Sequence, residues 1–192
     1  MTQLLVCYDY DDTMLPSSFI AKNNELSEDS YRTFREIENL ILEQWDIVFE
    51  LGGSVLIVTA AEVEWILQSS AIYFPIIRER LRDIPILSTR DFPRSLNTTE
   101  SKFAIFDSAV RFMWPVIFPH AHFLSIGDGI FELKAAQSLR GNFYKKTIKL
   151  SHEVMVTDKV LLGQLRTFHS RFTEILTKRS NMNLIARARG KA

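Results

Sequence analysis

Short apolar runs, none long enough for a helix, recur between longer stretches of helical periodicity, and that alternation restricts the chain to few architectures. Leu4 to Tyr8 is the first such run, and its unbroken apolar character suits a strand covered on both faces. Ser54 to Val58 and His122 to Ile126 repeat the pattern, with Ile84 to Leu87 a weaker strand and Thr147 to Leu150 a short fifth. Between the runs the apolar spacing changes to three and four residues. Phe34, Ile37, Ile41, Trp45 and Val48 line one face of a helix that opens at Ser27 with Glu28 and Asp29 in its first turn and stops near Gly52-Gly53. Further helices are expected around Val63, Ile66 and Leu67, over Ile76 to Arg82, and from near Thr99 through Phe103, Phe106, Val110 and Met113 to a stop near Pro115. Another runs from Ile130 through Leu133 and Ala136 to Gly141. Leu161, Leu165, Phe168, Phe172 and Ile175 mark a last long helix packed across the sheet, whereas Met14 to Leu26, with Pro16, paired serines and Asn23-Asn24, reads as a loop.

Strands alternating with helices predict an α/β protein with a three-layer, Rossmann-like fold: a mostly parallel, five-stranded sheet flanked by helices. The 192 residues suffice for one well-buried core, and no internal repeat or linker divides them. Residues 1–180 are expected to form a single domain, followed by a basic flexible tail over 181–192 that carries Arg187, Arg189 and Lys191. Charges that balance to zero provide no global field to recruit nucleic acid or an anionic membrane. The lone Cys7 rules out an internal disulfide and a thiolate zinc cluster. No apolar run reaches the roughly 18 residues of a spanning helix, and no secretory signal opens the chain. A cytoplasmic home is expected, without nucleic-acid or membrane partners.

In open sheets of this kind ligands bind beyond the carboxyl ends of the strands, and there the strand ends are chemically special. Asp9 and Asp11 follow the first strand, Thr59 the second and Asp128 the fourth. Three carboxylates converging on one edge repel one another unless a cation lies among them, and an all-oxygen set suits Mg²⁺ rather than zinc or copper. A carboxylate can attack phosphorus to form an acyl phosphate while a second carboxyl group protonates the leaving oxygen and then activates water. Phosphoryl transfer also needs positive groups around the equatorial oxygens. Lys102 is the evident supplier: a cation in the first turn of a helix opposes the helix dipole, costing up to about 1 kcal/mol unless an anion is near.

With these residues in view, the chain resembles the haloacid dehalogenase-like (HAD) phosphatase superfamily over residues 4 to 150. The first motif of that family, Asp-x-Asp-x-Thr after a hydrophobic strand, reads Asp9-Tyr10-Asp11-Asp12-Thr13. The second, a Thr or Ser ending the next strand, falls on Thr59; the third, a Lys at a helix start, on Lys102; the fourth on Gly127-Asp128-Gly129-Ile130-Phe131-Glu132. The resemblance implies a Mg²⁺-dependent phosphomonoesterase with Asp9 as nucleophile, Asp11 as general acid/base, and Thr59 and Lys102 on the phosphoryl group. It implies Mg²⁺ held by Asp9, the backbone carbonyl of Asp11, and Asp128, with Glu132 as a support. Glu132 replaces the more usual second Asp of the fourth motif, and Asp12 stands where many members carry Gly.

The family usually inserts a cap domain after its first motif or between its second and third, and neither interval here has the length for one. A capless or minimally capped enzyme is therefore expected, with Pro16-Ser17-Ser18-Phe19-Ile20 the nearest thing to a lid. An uncovered site suits a phosphorylated small molecule or a phosphoprotein, or closure by a second subunit in a homodimer. The competing reading is a catalytically weak or inactive binding or regulatory protein that keeps the fold. Outside the motifs, Cys7 is read as core packing, His120 and His122 as structural or surface residues, and Trp45, Trp65 and Trp114 as helix packing residues.

Overall fold

A computed structural model describes residues 3–93, 96–113, 120–151 and 156–188. Its strands are β1 (Leu4–Tyr8), β2 (Ser54–Thr59), β3 (Ile86–Ser88), β4 (His122–Gly127), β5 (Tyr144–Leu150) and β6 (Met182–Ala186). Its helices are α1 (Ser17–Lys22), α2 (Glu28–Glu50), α3 (Val63–Tyr73), α4 (Pro75–Arg80), α5 (Thr98–Met113), α6 (Ile130–Ser138), α7 (Asp158–His169) and α8 (Phe172–Thr177), with a 3-10 turn over Thr89–Asp91. The expected α/β, Rossmann-like layering is present. Trp114, Pro115, Arg189 and Lys191, which the sequence reading placed on a helix, at its stop and in the tail, lie outside the described residues.

The sheet runs in the order β3-β2-β1-β4-β5-β6, and every neighbouring pair is parallel. Successive parallel strands leave β1 outward through β2 and β3, and the chain then returns to place β4 on the other side of β1. The order reverses between β1 and β4, and at such a switch point the connections diverge and open a crevice at the carboxyl ends. Asp9 follows β1 and Asp128 follows β4, so the two flank that crevice.

The alternation of side chains along a strand explains why β1 is apolar throughout. Leu4, Val6 and Tyr8 join a core with Phe34, Ile37, Ile41 and Trp45 of α2 and with residues of α3, α4, α7 and α8. Leu5 and Cys7 face the opposite core, with Ile105 and Phe106 of α5 and Ala135 and Ala136 of α6. Two cores on one sheet make three layers.

Four expectations need correction. The sheet has six strands, because β6 lies in the segment read as a flexible tail. It pairs with β5 from Lys146↔Met182 to Leu150↔Ala186, and Thr147 donates its hydroxyl to Asn183 Oδ1 at 2.9 Å. An edge strand with one wet face needs only sparse apolar residues, which the neighbouring basic residues mask in the sequence. The long C-terminal helix is two, α7 and α8, broken at Ser170-Arg171. The stretch after the first motif is not all loop: α1 forms there, because the Asp12 carboxylate accepts hydrogen bonds from the Ser18 N–H at 2.9 Å and from the Ser18 hydroxyl. Finally, α6 does not bury Ile130; its inner face is Glu132, Ala135 and Ala136, at helical spacing but turned by the demands of the site.

Candidate active site

Asp9 is the residue after β1, and its N–H donates to Ile126 O at 2.9 Å, which ties it to β4 across the switch point. The chain then turns tightly: Tyr10 O accepts from Met14 N at 2.8 Å and Leu15 N at 3.1 Å. Asp12 sits in that turn at φ 52°, the left-handed region that explains why glycine would serve at this position. Asp is among the side chains that tolerate it, and here its carboxylate holds the start of α1.

Lys102 is the fifth residue of α5, one residue further in than a start at Thr99 would place it, and is 1% exposed. Its Nζ donates to Asp9 Oδ1 at 2.9 Å and also to Glu132 Oε1. The anion that the helix-dipole argument required is thus present twice over. Burial works against the Lys102 charge, but Asp9 and Glu132 outweigh it and hold the ammonium above its usual range.

Glu132 is buried, not on the outer face of its helix. It folds back over the Gly127-Asp128-Gly129 loop, where a Cβ at Gly127 would stand 2.6 Å from Glu132 Cγ and one at Gly129 would stand 2.6 Å from Glu132 Oε2. Both glycines therefore make room for this side chain. Glu132 Oε2 is buried with no hydrogen-bond partner among the described residues, an arrangement that is costly unless something else occupies the oxygen.

Asp9, Asp128 and Glu132 each present an oxygen within 4.8 Å of the others, making a set that could hold a metal ion. Three carboxylates facing one ammonium leave two negative charges uncompensated when all are ionised. Burial accordingly pushes Asp9 up from 3.8 to about 8; Lys102 opposes the shift, and the Glu132 and Asp128 charges add to it. Asp128 is pushed to about 6 by burial first, then by Glu132 and Asp12, with Lys102 opposing. The all-oxygen donor set, the orphaned Glu132 Oε2 and the doubly negative balance fit a hard divalent cation such as Mg²⁺.

Thr59 ends β2 fully buried, and its Oγ1 accepts from Ala61 N at 3.0 Å. The Asp11 carboxylate does not belong to the acidic trio. Its Oδ1 accepts from Trp65 Nε1 at 3.0 Å. Trp65 is 38% exposed and so is not the packing residue read from the sequence; nothing in its helical spacing signals a polar contact across 54 positions. Trp45, by contrast, is a core residue.

On the β3 side of Lys102 a cavity of about 490 Å³ is lined by Glu62, Arg90, Phe92, Leu96, Thr98 and Ser101, among others. Its wall is bonded to the loop after Thr59: Arg90 Nε donates to Ala60 O at 3.1 Å and Ser88 Oγ to Ala61 O at 2.7 Å. His122 lies at the other end of β4, with Nδ1 2.6 Å from Lys146 Nζ, and burial plus the Lys146 charge hold it down to about 4. It is a buried, neutral, structural group. Cys7 is buried too, and burial pushes its thiol up and keeps it unreactive.

No protein-family profile matches the chain, and no curated protein matches it in sequence. Among solved structures it is similar to cytosolic 5'-nucleotidase IIIB bound to cytidine, at 13% identity over 96% of this chain and 80% of that one, with a TM-score of 0.43. That is a loose likeness. No described helix is long and apolar enough to cross a membrane.

Proposed function

We propose that this protein is a Mg²⁺-dependent phosphomonoesterase of the HAD-like kind, a single catalytic domain without a full cap, acting on phosphorylated small molecules. The observation that carries the reading is the buried Asp9-Lys102-Glu132 charge set with Asp128 beside it, at the sheet's switch point. A structural ion pair needs one acid per base. Three acids around one lysine in a crevice are instead arranged for a further cation and an anion.

In this reading Asp9 attacks phosphorus, and the bond from its carboxylate oxygen to phosphorus forms as the ester P–O bond breaks. Asp11 gives its proton to the leaving alcohol oxygen, then takes one from the water that releases inorganic phosphate and restores Asp9. Lys102 and the Thr59 hydroxyl hold the equatorial oxygens. Asp9, the Asp11 backbone carbonyl and Asp128 would hold Mg²⁺, with Glu132 in support; when bound, the ion neutralises charge on the phosphoryl oxygens. A cavity of about 490 Å³, lined by Ser101 next to Lys102 in sequence and by Glu62 in the connection after Thr59, falls within the range of small-molecule sites.

Purified protein with Mg²⁺ should hydrolyse p-nitrophenyl phosphate, and Asp9→Asn should lower kcat on the order of a thousandfold or more. Wild-type inactivity across sugar phosphates, nucleotides and phosphopeptides would remove the proposal. The alternative, a binding protein without turnover, draws on the fact that Lys102 is already engaged by two carboxylates. Tight Mg²⁺ binding with no hydrolysis would establish it.

A further inference from the structure

We infer that Trp65 is a positioning residue for the general acid: its indole N–H fixes one oxygen of Asp11, so that the other is the one that carries the transferred proton. The inference rests on the phosphatase reading.

An indole N–H donates and cannot accept. Its 3.0 Å bond to Asp11 Oδ1 therefore persists in both protonation states, because Oδ1 is a carboxylate oxygen in one and the carbonyl oxygen in the other. When Asp11 is protonated its carbonyl oxygen is the stronger acceptor, so the bond at Oδ1 favours the proton on Oδ2. Among the described residues no other side-chain hydrogen bond distinguishes the two oxygens, so without Trp65 the carboxyl group can present either.

The helix that carries Trp65 is itself fastened to the first motif. Ser69, one turn on, donates its only hydroxyl proton to Trp65 O at 2.6 Å. In the 2.8 Å bond between Ser69 Oγ and the Tyr10 hydroxyl, Tyr10 must then be the donor. Tyr10 is fully buried and lies between Asp9 and Asp11 in sequence. One face of α3 thus holds two successive residues of the motif, Tyr10 through Ser69 and Asp11 through the indole. A tryptophan 38% exposed contributes less packing than a core residue, so its polar tip is the part this arrangement uses.

As Asp9 displaces the alcohol, the proton on Oδ2 passes to the departing oxygen, and Asp11 is left a carboxylate still bonded to Trp65 through Oδ1. Losing that placement should harm substrates in proportion to their need for a proton. A p-nitrophenolate leaves without one, whereas an alkoxide does not.

The test compares kcat/KM of wild type and Trp65→Phe on p-nitrophenyl phosphate and on a simple alkyl phosphate, with Mg²⁺ present. The parameter is chosen because it reports the step in which the alcohol leaves. The alkyl ester is expected to lose at least about tenfold more than the aryl ester, and in an Asp11→Asn background the extra loss should vanish. Equal losses on both esters, no loss on either, or a discrimination that survives Asp11→Asn would overturn the inference and leave the phosphatase reading standing. Absence of turnover by wild type on both esters would remove the reading and the inference together. Trp65→Leu takes the place of Trp65→Phe if the latter does not fold.

Discussion

Metal binding at the acidic trio should be a proton exchange, and its size follows from the site. In the metal-free protein burial among like charges pushes Asp9 to about 8 and Asp128 to about 6, from 3.8 for an ordinary aspartate. At pH 7 Asp9 is then about nine-tenths protonated and Asp128 about one-tenth, so binding Mg²⁺ releases about one proton in all. Between pH 6 and pH 8 the apparent affinity should tighten about 100-fold, mostly from Asp9, and then level off. The stability of the metal-free fold carries the opposite sign. Both groups bind protons more tightly folded than unfolded, so their contribution is complete below 3.8 and is lost as pH rises toward 8. Isothermal titration with Mg²⁺ at pH 6, 7 and 8, in buffers of different ionisation enthalpy, measures the protons released directly. Thermal melts with and without Mg²⁺ should show a stabilisation that grows with pH. Binding without proton release and with pH-independent affinity would refute the reasoning, because it would mean that Lys102 already neutralises the trio.

Lys102→Met leaves Asp9 and Glu132 without their shared cation, and breaking a buried pair costs about 3–5 kcal/mol. Metal-free melts should show Tm lower by about 6–20 °C, with a smaller loss at pH 5, where Asp9 is protonated, than at pH 8. Gly129→Ala places a methyl group 2.6 Å from Glu132 Oε2 at a backbone φ of −86°, which any residue adopts. The fold should survive in circular dichroism, while Mg²⁺ affinity in the same titration falls about 10–100-fold as Glu132 is displaced.

Much of this was legible in the residues because it is local. Strands buried on both faces announce themselves as short unbroken apolar runs, and α2 announces itself by an apolar stripe behind a Ser27 cap whose side chain accepts from Ser30 N. Asp9, Thr59 and Asp128 could be assigned to one edge because parallel strands put their carboxyl ends on the same side. The features that escaped depend on partners distant in sequence. Trp65 meets Asp11 only because α3 follows β2, the neighbour of β1. The inner face of α6 was misjudged because Lys102 draws in Glu132 at the expense of Ile130, and β6 because one wet face leaves too few apolar residues to stand out.

By itself, then, the sequence determined the layered α/β class, most of the strands and the set of polar residues gathered at their ends, since periodicity and strand polarity are properties of neighbouring residues. Only the tertiary structure decided that Glu132 turns inward to share Lys102 with Asp9, that two glycines are vacant to let it, and that an indole on another helix holds Asp11. Those choices depend on burial and charge balance among groups up to 93 positions apart, and no local pattern encodes them.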